Sequence, residues 1–107
     1  MKIDTKKTGR YDDEIRALLE LRLYITSGTP LSIRAKANLD AIIKDYLPQV
    51  RLQVVDVLEQ PLAALVEGIL VTPTLVKLQP GPVVRVVGDL SEHGIVTSAL
   101  GLGVQSG

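Results

Sequence analysis

Two short runs hold nearly all the side chains whose types and spacing could do chemistry: the hydroxyl-rich turn Thr26-Ser27-Gly28-Thr29-Pro30 and the run Asp89-Leu90-Ser91-Glu92-His93. At a helix start, Ser27 or Thr29 could hold an anion against free backbone amides or activate a bound thiol; as a plain cap it would only satisfy one orphan amide. Capping is the stronger reading, because a serine nucleophile needs a base and the chain has a single histidine, His93, remote in sequence. One imidazole beside Asp89 and Glu92 at a helix start is likewise capping chemistry rather than a metal or acid–base centre. There is no cysteine, which removes disulfide exchange, thiolate catalysis and thiolate metal sites together. Gly81, Gly88 and Gly94 do not have the spacing of a phosphate loop. No catalytic, metal or cofactor set is expected.

What remains is charge suited to recognition. Arg22, Arg34, Lys77 and Arg85 fall on strands or a first helical turn, where positive side chains usually form solvated faces. They are also reasonable contacts for a protein partner, because arginine is enriched at interfaces. The chain carries 12 Lys and Arg against 12 Asp and Glu, a formal net charge of zero, so no nucleic-acid partner is expected. No Phe or Trp is present, and stacking surfaces can draw only on Tyr11, Tyr24 and Tyr46. The 107 residues suit one domain, and no run approaches the ~20 apolar residues of a membrane span, so a cytoplasmic protein is expected.

The elements that must position these residues follow from periodicity. Leu19, Leu21, Leu23 and Ile25 alternate with Glu20, Arg22 and Tyr24, the period-two pattern of a strand with one buried face. Thr29 as N-cap and Pro30 as first helical residue start a helix whose apolar stripe is Leu31, Ala35, Leu39, Ile42 and Tyr46, with Lys36, Asp40 and Lys44 on the wet side and a stop near Leu47-Pro48. Residues 51–58, rich in Val and Leu, read as a strand covered on both faces and parallel to the first. Pro61 opens a short segment at 62–67, ambiguous in local preference, that Gly68 can cap. Residues 74–78 and 83–87 then form a hairpin through Gln79-Pro80-Gly81-Pro82, with Pro73 at the strand entry. A last helix over residues 93–100 is capped by Asp89 or Ser91 and weakened by Gly94. Residues 1–17 read as a polar extension with basic Lys2, Lys6, Lys7 and Arg10, residues 18–102 as the domain, and 103–107 as a tail.

This α/β order, β-α-β-α-β-β-α with an antiparallel last pair, resembles the thioredoxin-like topology, in which the proline of a Thr72-Pro73-Thr74 entry is cis. Four collinear blocks carry a narrower resemblance: Leu23-Tyr24-Ile25-Thr26-Ser27-Gly28-Thr29-Pro30, then Val54-Val55-Asp56-Val57-Leu58, then Ile69-Leu70-Val71-Thr72-Pro73-Thr74-Leu75, and Pro82-Val83-Val84-Arg85-Val86-Val87-Gly88-Asp89-Leu90-Ser91. Together they resemble the KaiB family of circadian-clock proteins.

The resemblance implies a non-enzymatic, cofactor-free regulator that docks on a KaiC-type ATPase ring, with a clock histidine kinase and further copies of itself, as dimer or tetramer, as other partners. By position it implies ring contact over Leu65-Val66-Glu67-Gly68, so Glu67 joins Arg22, Arg34, Lys77 and Arg85, which are contact candidates from residue type alone. It also implies a metamorphic C-terminal half, with Gly88 and Asp89 at the site where the fold balance is sensitive; independently, the mixed helix and strand preferences of that half, with Pro73, Pro80, Pro82 and a weak final helix, suit two packings of similar free energy. Three departures favour a divergent member: Leu65-Val66-Glu67-Gly68 where the family is more acidic, Pro80-Gly81-Pro82 in place of three prolines, and no acidic C-terminal tail. The competing readings are a cysteine-free thioredoxin-fold enzyme using Ser27 or Thr29 with a thiol cofactor, a structural or stress protein without a ring partner, and the sensor domain of a clock kinase.

Overall fold

The computed structural model describes residues 19–46 and 49–102. The expected extension, the tail and the Leu47-Pro48 helix stop lie outside the described residues. Strand β1 (Leu19–Ile25) leads through Thr26-Ser27-Gly28-Thr29 into helix α1 (Pro30–Ile43), which tightens into a 3₁₀ turn over Lys44–Tyr46. Then come β2 (Val50–Asp56), α2 (Pro61–Glu67), β3 (Thr74–Gln79), β4 (Val84–Val87) and α3 (His93–Leu100), so the expected element order is the observed one.

The sheet order is β2-β1-β3-β4, with β1 parallel to β2 and antiparallel to β3, and β3 antiparallel to β4. Two apolar clusters form around it. Leu21, Leu23, Ala35, Leu39, Leu75, Val96 and Leu100 belong to the larger one, which α1 and α3 close. Tyr24, Val55, Ala64 and Val76 make the smaller one, under α2. The strand pleat sends alternate residues of β1 and β3 into these two clusters, so both faces of the central strands are covered.

That arrangement corrects several expectations. Tyr24, placed by alternation on the polar face of β1, is fully buried, because α2 covers that face. Conversely β2, expected to be covered on both sides, is an edge strand with Arg51, Gln53 and Val54 exposed. In α1 the buried stripe is Ser32, Ala35, Leu39, Ile42 and Ile43, while Leu31 is left exposed. Thr29 has the extended backbone of an N-cap, yet its hydroxyl donates to the Thr26 carbonyl at 2.7 Å rather than capping α1. Asp40 pairs with Lys36 at 2.8 Å. The N-cap of α3 is Glu92, not Asp89 or Ser91. The ambiguous segment before Gly68 is helical, and Gly68 closes it at φ 78°, a left-handed cap that favours glycine.

Candidate partner-binding surface

The loop between β4 and α3 is where the described charges and the unusual backbone meet. The amide of Gly88 (φ 117°) donates to the Pro73 carbonyl at 3.0 Å, tying the end of the hairpin to its entry. Asp89 follows, and its Oδ1 accepts the Ser91 amide at 3.1 Å. From α1, the Arg34 guanidinium reaches Asp89 Oδ2 at 3.3 Å, and the Asn38 side-chain amide donates to the Asp89 carbonyl at 2.8 Å. The hydroxyl and amide of Ser91, with Arg34, hold the Asp89 carboxyl below its ordinary range. Leu90, the one non-glycine residue with positive φ (63°) among those described, is buried in the larger cluster. Its burial and the bonds on either side hold a backbone that costs an L-residue ~1–2 kcal/mol.

A second latch joins β4 to α2. Arg85 donates from one guanidinium nitrogen to the Glu67 backbone carbonyl at 2.6 Å and to Glu67 Oε2 at 2.9 Å. The carbonyl belongs to the last residue of α2, whose terminal carbonyls lack helical partners, so the arginine also caps the helix end.

The residues singled out in the sequence therefore do not form one cluster. Glu67 meets Arg85, and Arg34 meets Asp89 beside Gly88. Arg22 lies apart on β1, its Nε donating to Gln53 Oε1 at 3.1 Å and a terminal nitrogen to the Tyr24 hydroxyl at 3.3 Å. Lys77 was expected on a solvated face, but it is 8% exposed, on β3 in register with Leu21 and Val84. The bonds Thr72-Pro73, Gln79-Pro80 and Gly81-Pro82 are all cis; Pro73 is buried, while Pro80 and Pro82 are exposed.

The hydroxyl turn does structural work. Ser32 Oγ accepts the Thr26 amide at 3.0 Å, and the Thr26 and Thr72 hydroxyls share a hydrogen bond of 2.6 Å that joins the turn to the Pro73 loop. Asp56 Oδ1 faces the Ser27 amide at 3.4 Å, so a carboxylate already stands where an anion would bind. A hollow of about 390 Å³ beside Ser27 and Ile33 has the volume of a small-molecule pocket, but its charged side chains, Lys36 and Asp40, are paired with each other. Among the described residues no group of three or more His, Cys, Asp or Glu could hold a metal ion.

Sequence reasoning missed Asn38, the Thr26–Thr72 pair and the outward apolar face of α2. The last had a signal: Ala63-Ala64 flanked by leucines marks which side of a helix can approach a sheet closely.

Residues 22–102 match the KaiB domain family. The chain belongs to the KaiB family. Curated relatives include the circadian clock oscillator protein KaiB of Synechococcus sp. (strain RCC307), 45% identical over 83 residues, 77% of this chain and 76% of the relative. That of Thermostichus vulcanus is 42% identical over 89 residues, 82% of each. Among solved structures, the N-terminal domain of Synechococcus elongatus SasA superposes with a TM-score of 0.66 at 27% identity, over 82% of this chain and 85% of that one. Chloroplastic thioredoxin z matches with a TM-score of 0.69 at 17% identity, over 100% and 99%. This KaiB-family chain thus has a thioredoxin-like fold and lacks the cysteines on which thioredoxin redox chemistry depends. Among its described residues no helix is long and apolar enough to cross a membrane.

Proposed function

We propose that this protein is a non-enzymatic, clock-type regulator that docks reversibly on a KaiC-type ATPase ring. The observation that carries this reading is membership of the KaiB family together with a thioredoxin-like arrangement close to that of the SasA N-terminal domain. Arg22, Arg34, Glu67 and Arg85 are the proposed contacts at the surface. Lys77, being buried, would reach a partner only if β3 and β4 repack. Such repacking is the second part of the proposal. The C-terminal half rests on short elements, an α2 of 7 residues, a β4 of 4 and an α3 of 8, and two packings of it need differ by only a few kcal/mol. Gly88 and Asp89, with Pro73, Pro80 and Pro82, are the proposed control points. Self-association and a clock histidine kinase are the further partners proposed.

The thiol-cofactor reading is weaker, because the nearby Asp56 carboxylate accepts the Ser27 backbone amide and occupies the place an anionic thiolate would take. Sedimentation of the purified protein with a KaiC-type ring, with and without ATP, tests the proposal. Co-sedimentation that depends on nucleotide and is lost on Arg85→Ala supports it. No co-sedimentation at micromolar concentrations, or thiol-dependent turnover abolished by Ser27→Ala, overturns it.

A further inference from the structure

Among the described residues Lys77 is the only charged residue that is buried, with 8% of its surface exposed. Its place follows from the strand pleat. Leu75, two residues earlier on β3, belongs to the larger apolar cluster, so Lys77 projects to that same face of the sheet, which α1 and α3 cover. Its register partners are Leu21 on β1, also in that cluster, and Val84 on β4. A lysine stem suits such a site, because its methylenes can lie along a leucine and a valine. The ammonium does not, since it brings three donors and a full charge, and lysine is almost never buried without a partner. Among the described residues it has neither an ion pair nor a side-chain hydrogen bond.

The chain itself holds carboxylates that could meet this charge. Four of its 12 Asp and Glu, namely Asp4, Asp12, Asp13 and Glu14, precede β1, and none of the others bonds to Lys77. Strand β1 brings this part of the chain to the right place. Leu19, its first residue, lies in the same apolar cluster, two positions from Leu21. With strands about 4.8 Å apart and a rise of about 3.3 Å per residue, the backbones of Leu19 and Lys77 are on the order of 8 Å apart. Glu14 precedes Leu19 by five residues, enough chain to span about 17 Å. All three carboxylates of Asp12-Asp13-Glu14 are therefore within reach. Arg10 and Arg16 flank the run, and pairing with both still leaves one carboxylate over.

We infer that Asp12-Asp13-Glu14 folds back over β3 and supplies the counter-ion of Lys77, strapping the chain ahead of β1 to the sheet. Lys77 is then engaged by its own chain, and any partner that uses it must first displace the strap. The inference goes beyond ring docking, and its test contains no ring, so its failure leaves that reading standing.

The chain has no cysteine, so Tyr11→Cys accepts a single nitroxide next to the acidic run, and the full chain then reports proximity through broadening of its amide signals. Broadening at Lys77 and Val84 is expected, with the amides of α2, on the other face of the sheet, left sharp. Neutralising the run with Asp12→Asn, Asp13→Asn and Glu14→Gln should reduce that broadening at least ~threefold, as should raised salt, while Asp4→Asn should leave it unchanged. Lys77→Met should reduce it likewise, with the amides of Tyr24 and Leu39 checking that the fold persists; the neutralised run decides the matter without touching the core. In urea unfolding, Lys77→Met and the neutralised run should be coupled by at least ~fivefold in the equilibrium constant. Broadening that survives neutralisation, or additive effects of the two changes, overturns the inference, the ammonium then reaching water by itself. So does broadening that appears when nitroxide-bearing chains without ¹⁵N are mixed with ¹⁵N chains without nitroxide, since a second copy would then supply the carboxylates.

Discussion

Asp89 is bonded from helix α1 and from its own loop, and this makes its charge a stability term. Its carboxyl is held below the ordinary value of 3.8 by Ser91 and Arg34. A carboxyl depressed in the folded state stabilises the fold at every pH above its unfolded value, and that contribution drains away as pH falls toward the folded one. The stability advantage of the wild type over Asp89→Asn, read from urea unfolding, should therefore be flat from about pH 7 to about pH 5 and shrink below about pH 4. The two bonds from α1 should differ in weight. Asn38→Ala leaves the half-buried Asp89 carbonyl without its donor and should cost about 1–2 kcal/mol. Arg34→Ala removes an exposed ion pair and should cost less than about 1 kcal/mol. Asn38 could not be identified in the sequence, because its partner lies 51 residues away and asparagine on a helix has no period to betray it.

Elements were legible where one face decides them. The alternation of β1 and the Pro30 start of α1 translate directly into the observed bounds, since each depends on neighbours within a few residues. The exposure of β2 was not legible, because a Val-rich run is compatible with a central or an edge strand and the order β2-β1-β3-β4 is a property of the whole sheet. Nor was the burial of Tyr24, which depends on α2 crossing that face. The orientation of α2 gives a sharp test at this scale. Ala64→Leu should destabilise by about 1–3 kcal/mol, because it must push the helix off the sheet, whereas Leu65→Ala should fall within about 0.5 kcal/mol of wild type. Equal effects in thermal or urea unfolding would mean that the helix does not sit as described.

At the scale of the molecule, two latches hold the C-terminal half to the N-terminal half and to itself: Arg34 and Asn38 on Asp89, and Arg85 on Glu67. Gly88 lies between them at φ 117°, where no clash limits a larger residue but the backbone itself disfavours one. Gly88→Ala should therefore weaken this packing and, if a second packing of comparable free energy exists, raise its population. Amide spectra over residues 58–100 and sedimentation of the same sample read both effects. Unchanged spectra and unchanged size in Gly88→Ala and in Asp89→Arg would remove the case for switching.

By itself the sequence determined the family, the element order, and the absence of thiol chemistry, because these depend on residue types and on spacings within a single element. The collinear blocks from Leu23 to Ser91 and the lack of cysteine needed no coordinates. Tertiary structure alone decided which charges meet, that Lys77 is buried while Leu65 and Val66 are not, and that Asp89 serves the loop instead of capping α3. These are outcomes of long-range packing: a side chain's exposure is fixed by whatever element crosses over it, and no local period encodes that crossing.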